Sequence, residues 1–144
     1  MKTTARNQFA GAVKSVDLGP VSAQVVVALG TGPEIVATMT RAAAERLHLK
    51  SGMPAVALIK ASAIVLVTDF EGYVLSARNQ FTGTVSRIER GAVTSLVVLS
   101  VPGGIELTAS VTNDAIDELG LKPGAGASAV FKAYAVMVAA KASA

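Results

Sequence analysis

The segment Thr4-Ala5-Arg6-Asn7-Gln8-Phe9 returns almost unchanged as Ser76-Ala77-Arg78-Asn79-Gln80-Phe81, 72 positions later. The register between the two runs without a gap from Thr4 to Val67, and roughly 25 of about 64 residue pairs are identical. Its landmarks include Gly11/Gly83, Gly19/Gly91, Glu34/Glu106, Thr40/Thr112, Leu47/Leu119, Gly52/Gly124 and Lys60-Ala61/Lys132-Ala133. Chance does not produce an ungapped register of this length, so the chain is a tandem duplication. The rest of the sequence reads as a scaffold that presents the repeated segment twice.

Each copy spells the same order of elements. Asn7 to Val16 alternates loosely and meets the turn signal Asp17-Leu18-Gly19-Pro20. Val21 to Leu29 is rich in Val, and Gly30-Thr31-Gly32-Pro33 turns it into a third strand, Glu34 to Met39. Thr40 and Thr112 then precede good helix formers, closed by Gly52 with Pro54 and by Gly120 with Pro123-Gly124, so each predicts an N-capped helix of about two turns. A long apolar stretch follows, Ala55 to Val67 and Ala127 to Ala139, broken once at Lys60 and Lys132, which predicts a strand, a kink and another strand.

Three strands, a short helix and two strands is the order of an OB-type barrel. The expected class is all-β: two tandem OB-type five-stranded barrels, each with a short α-helix between strands 3 and 4. Residues 1–68 form the first domain and 76–144 the second. Residues 69–75, with Asp69-Phe70-Glu71-Gly72-Tyr73 at their centre, form a tight hairpin connection between the last strand of copy one and the first of copy two.

Composition narrows the function classes. The chain is 51% hydrophobic and 16% charged, with an apolar content of mostly Ala and Val that suits the inside of a small barrel. The uncharged run Ala61 to Thr68 ends at Lys60 and Asp69, far short of the roughly 20 residues of a membrane-spanning helix. The start, Met1-Lys2-Thr3-Thr4-Ala5-Arg6, has no apolar secretory core. Without cysteine there is no disulfide or thiolate chemistry, and a cytoplasmic setting is expected. A net charge of +3 is too small to imply a nucleic-acid partner but tolerates a small anion.

Enzymatic constellations are missing. His48 stands alone and its repeat partner is Gly120, which points to helix-end packing. No His pair and no Cys exist, so a metal site is not expected. What the copies share is a set of donors: Arg6/Arg78, Lys60/Lys132, the hydroxyls Thr4/Ser76 and Thr40/Thr112, and the N–H groups of the two helix starts. Arg offers a planar fork and Lys a movable point charge, a combination that suits an oxyanion whose surface is all acceptor. The plainer reading stays open beside it: Lys60 snorkels, Arg6 lies on an exposed strand, and the two threonines only cap helices.

The run Ser76-Ala77-Arg78-Asn79-Gln80-Phe81-x-Gly83-x-Val85, with Gly91-Ala92-Val93, Leu119-Gly120-Leu121-Lys122-Pro123-Gly124 and Lys132-Ala133, resembles the Mop domain of molybdate-binding proteins. Two such domains covering essentially the whole chain resemble a di-Mop molbindin. The resemblance implies a non-catalytic cytoplasmic protein that stores or buffers molybdate or tungstate, with no cofactor. A sensing or transporter-accessory role through a protein partner is the alternative. It also implies a homo-oligomer, a trimer of two-domain chains, with oxyanion sites between chains and neither nucleic acid nor membrane as partner. By motif position, one site would join Thr4, Ala5 and Arg6 to Thr40, Lys60 and Ala61, with Ser62 following. The other would join Ser76, Ala77 and Arg78 to Thr112, Lys132 and Ala133, with Tyr134 in the place of Ser62. Family members often carry a further hydroxyl three residues after the capping Thr, where this chain has Ala43 and Ala115.

Overall fold

The computed structural model describes residues 1–142. Copy one supplies β1 (Asn7–Leu18), β2 (Ser22–Ala28), β3 (Glu34–Thr40), α1 (Arg41–Arg46), β4 (Pro54–Ile59), a 3-10 turn (Ala61–Ala63) and β5 (Val65–Val67). Copy two supplies β6 (Asn79–Glu89), β7 (Thr94–Val101), β8 (Ile105–Thr112), α2 (Asn113–Leu119), β9 (Gly126–Phe131), a second 3-10 turn (Ala133–Ala135) and β10 (Met137–Ala139). The fold is mostly β, with two five-stranded sheets of OB type and a short helix after the third strand of each copy.

The sheets do not keep the copies apart. One has the order β10-β4-β1-β2-β3 and the other β5-β9-β6-β7-β8, all pairs antiparallel. Copy one therefore gives its last strand to the sheet of copy two, and receives β10 in return. One compact unit comprises Met1–Ile59 and the residues from Lys132 onward; the other is Lys60–Phe131. We call them unit 1 and unit 2. The boundaries 1–68 and 76–144 describe the sequence copies, whereas the compact units are cut at the two lysines.

The hairpin expected at 69–75 is corrected by the same pairing, because β9 lies between β5 and β6. The residues do form a turn: Asp69 accepts from the Glu71 N–H at 2.8 Å and Tyr73 N–H donates to the Phe70 carbonyl at 2.8 Å. The physical reason is degeneracy. Val65-Leu66-Val67 and Met137-Val138-Ala139 hold equivalent places in a repeated sequence, so the pattern says which type of strand pairs with β4 or β9 but not which copy provides it.

Within each unit a long first strand does the bending. β1 pairs with β4 through Asn7 to Ala12 and with β2 through Ala12 to Leu18, with a bulge at Lys14. β6 repeats this against β9 and β7, with its bulge at Ser86. A bulge adds one residue to one strand and sharpens its twist, which lets a single strand belong to two faces of a small barrel. Gly11 and Gly83 sit just before the bend, where an added Cβ would lie 2.3 Å from the Ala28 carbonyl oxygen and 2.1 Å from that of Ser100. Both positions exclude a side chain.

Alternate residues of β2, β3, β7 and β8, with residues of β4, α2 and β9, fill the interiors. Val25, Val27, Ile35, Ala37 and Ile59 are buried in unit 1; Val97, Leu99, Leu107, Ile116 and Phe131 are buried in unit 2. Phe131 stacks on Phe81 with ring centroids 5.9 Å apart.

Candidate functional site

The repeated segment divides at its asparagine. Asn7 and Asn79 are each only 1% exposed, and Asn7 Nδ2 donates to the Ile59 carbonyl at 3.1 Å. Their place is structural: each asparagine opens its strand, opposite Ile59 or Phe131, the residues that precede Lys60 and Lys132 in the chain. The residues before them, Thr4-Ala5-Arg6 and Ser76-Ala77-Arg78, lie outside the ladders, with Ala5 and Ala77 half-buried and the hydroxyl and Arg residues exposed. The Ala5 N–H donates to Thr3 Oγ1 at 3.1 Å.

Strand exchange regroups the other candidates. Thr40 ends β3, and β3 packs against the 3-10 turn Ala133–Ala135 that Lys132 introduces. In unit 2 β8, which ends at Thr112, packs against the turn Ala61–Ala63 introduced by Lys60. Within one chain Thr40 thus shares a unit with Lys132 and Ala133, and Thr112 with Lys60 and Ala61. Unit 1 holds Thr4, Ala5, Arg6, Thr40, Lys132 and Ala133; unit 2 holds Lys60, Ala61, Ser62, Ser76, Ala77, Arg78 and Thr112. Ala61 and Ala133 are buried, while both lysines, Ser62 and Tyr134 are exposed.

The helix starts offer less than the sequence suggests. Thr40 Oγ1 accepts from the Ala43 N–H at 3.1 Å, and Arg41 N–H donates to the Val21 carbonyl at 2.8 Å. In α2 Thr112 Oγ1 accepts from Ala115 N–H at 3.2 Å and Asn113 N–H donates to the Val93 carbonyl at 2.9 Å. Two of the first three helical N–H groups are already engaged in each unit, and helices of 6 and 7 residues carry a weak dipole. The threonine hydroxyls keep their own hydrogens to donate.

Electrostatically the groups are one-signed. Among the described residues, Arg6, Lys60 and Lys132 form no ion pair, whereas Lys14, Arg41, Arg87 and Arg90 each meet a carboxylate. Unit 1 also contains a pocket of about 430 Å³ whose lining includes Thr40, Ala43, Arg46, Leu47, Tyr134 and Met137. Arg46 escapes a reading weighted toward shared residues, because its repeat partner is Glu118. His48 stands where the helix unwinds, exposed and at φ 52°, matching Gly120 at φ 64°. It shapes a helix end.

The TOBE domain family model matches residues 3–66 and 75–138. The chain is 67% identical over 139 residues to the molybdenum transport protein ModE of Herbaspirillum seropedicae, covering 96% of this chain and 52% of that protein. It is 37% identical over 139 residues to the molybdenum-pterin-binding protein MopA of Rhodobacter capsulatus, again covering 96% and 52%. The chain spans about half the length of the curated relatives it matches. Among solved structures, the cytoplasmic molybdate-binding protein ModG in a molybdate-bound form superposes with a TM-score of 0.93 at 48% identity, covering 98% of this chain and 100% of that one. With two successive matches that follow the internal repeat, the chain belongs to the TOBE-domain family.

Proposed function

We propose that this chain binds molybdate reversibly, with tungstate as a ligand of the same shape, and makes or breaks no covalent bond. The carrying observation is the double grouping of one Arg, one Lys and one helix-capping Thr per unit, with no acidic partner on Arg6, Lys60 or Lys132 among the described residues. The likeness to molybdate-bound ModG supports the choice of ligand. A tetrahedral dianion presents only acceptors. Each charge-assisted bond from Arg, Lys or hydroxyl would contribute roughly 1.5–3 kcal/mol net. Phosphate carries a proton that needs an acceptor, which this donor set lacks, and sulfate is separated by cavity size.

In this reading the sites form between copies of the chain. Thr4, Ala5 and Arg6 of one copy face Thr40, Lys132 and Ala133 of another. Ser76, Ala77 and Arg78 face Thr112, Lys60, Ala61 and Ser62. Three copies close the assembly, and ligand binding favours it because the ligand binds only the assembled state. We propose cytoplasmic storage or buffering as the role; no helix of the described residues is long and apolar enough to cross a membrane.

Titration calorimetry in phosphate-free buffer tests the reading, with saturable molybdate binding expected and its absence overturning it. Native mass spectrometry with and without molybdate reports copies and ions together. A second reading, regulation through a partner, is favoured by the 33% identity over 141 residues to the DNA-binding transcriptional dual regulator ModE of Escherichia coli. A pull-down whose yield changes with molybdate separates sensing from storage.

A further inference from the structure

We infer that Gln8 and Gln80 are positioning residues that hold the two oxyanion segments in their binding shape before ligand arrives. The inference rests on the reading above, that Thr4-Ala5-Arg6 and Ser76-Ala77-Arg78 contact the ligand. Both glutamines are exposed, so neither contributes to a core. Each nevertheless folds its side chain back along the chain to the same place. Gln8 Nε2 donates to the Ala5 carbonyl at 2.9 Å, and Gln80 Nε2 donates to the Ala77 carbonyl at 3.0 Å. Gln80 also donates to the Leu75 carbonyl at 3.3 Å, using both hydrogens of its amide.

The ladders begin at Asn7 and Asn79, so residues 4–6 and 76–78 receive no support from strand pairing. A loose segment would lose conformational freedom on binding, and that loss would weaken affinity. The amide clamp shifts the ordering to the folding step. It also engages the central alanine carbonyl, an acceptor that would repel an anion if left free beside it. The glutamine fixes two carbonyls in copy two and one in copy one, where Thr3 Oγ1 also holds the Ala5 N–H, so the segment at Ser76–Arg78 depends more on its glutamine.

Gln80→Met keeps the length and removes both donors; Gln8→Met removes one. Calorimetry with molybdate on the whole chain should show about tenfold weaker binding at one class of site for Gln80→Met and about threefold weaker binding at the other for Gln8→Met. The ligand-free melting temperature should stay within a few degrees of the parent, while backbone order at residues 76–78, measured by NMR relaxation, falls in Gln80→Met. Arg78→Ala serves as the control for the site itself. Weaker binding in Arg78→Ala with parent affinity in Gln80→Met overturns the clamp and leaves the site standing. Parent affinity in both overturns the site reading and the clamp with it. A loss of affinity in Gln80→Met matched by a large drop in ligand-free melting overturns the positioning role and assigns Gln80 to general stability.

Discussion

Units 1 and 2 are built from one repeated sequence, yet they differ sharply in charge and in core. Unit 1 carries eight Lys and Arg against three Asp and Glu; unit 2 carries five against seven. Unit 1 closes on small residues, with Ala44 as the buried residue of its helix, while unit 2 places Ile116 there and exchanges Ile59 for Phe131 at the end of the fourth strand. The helix start is tied down differently too. In unit 1 Arg41 donates to the Gly19 carbonyl at 3.2 Å and to Glu45 at 2.6 Å. In unit 2 Asn113 donates to the Gly91 carbonyl at 2.9 Å and accepts from the buried Ser95 hydroxyl. What does not differ is the backbone geometry: the bulge, the glycine before it, the capping threonine, the buried asparagine and the clamped segment. Core volume and surface charge tolerate divergence if the volume is refilled. A glycine at which an added Cβ would lie little more than 2 Å from a backbone oxygen does not.

The comparison breaks most visibly at Gly11 and Gly83. Ala at either site drives a methyl into a backbone oxygen that cannot rotate away, so each substitution should cost about 3 kcal/mol or more in urea unfolding. Gly83→Ala should be the worse, having the closer approach. A change below about 0.5 kcal/mol in either would show that the bend does not need its glycine.

A smaller effect sharpens the regrouping of the site. If Thr112 works with Lys60, a double-mutant cycle on molybdate affinity with Thr112→Val and Lys60→Ala should show coupling of about 1 kcal/mol. Thr112→Val with Lys132→Ala should add within about 0.5 kcal/mol. The opposite result would restore the pairing within each sequence copy.

The smallest effect has opposite signs in the two units. His48 holds a left-handed conformation that glycine adopts without penalty, so His48→Gly should stabilise the protein by about 0.5–1 kcal/mol and Gly120→Ala should destabilise it by about 1 kcal/mol. Thermal unfolding of the two variants checks this. Equal signs would mean that something other than backbone conformation decides the helix end.

Much of the fold is legible in the sequence because its signals are local. Glycine and proline mark the turns, Thr40 and Thr112 mark the helix starts, and the break at Lys60 and Lys132 marks the 3-10 turns. Strand exchange is illegible for the reason that makes the repeat so easy to see: equivalent strands look alike to either sheet. The candidate site is legible as a set of residue types but not as a set of neighbours, since Thr40 and Lys132 are 92 positions apart and belong to different copies. The engagement of Arg41 N–H is hidden because its partner, Val21, is a carbonyl with no side-chain signature. Gln8 and Gln80 are hidden likewise: an exposed amide that bonds three residues back leaves no periodicity to read.

The exchange of β5 and β10 also sets an order on the ribosome. Unit 2 is one uninterrupted stretch, so all of it is available once Phe131 has left the exit tunnel. Unit 1 lacks an edge strand until Met137, Val138 and Ala139 emerge and join β4. Until then β4 keeps an unpaired edge, so the strands of residues 7–59 wait for residues 137–139, which are translated after the whole of unit 2. Residues 1–59 precede unit 2 in the chain and are fully housed after it.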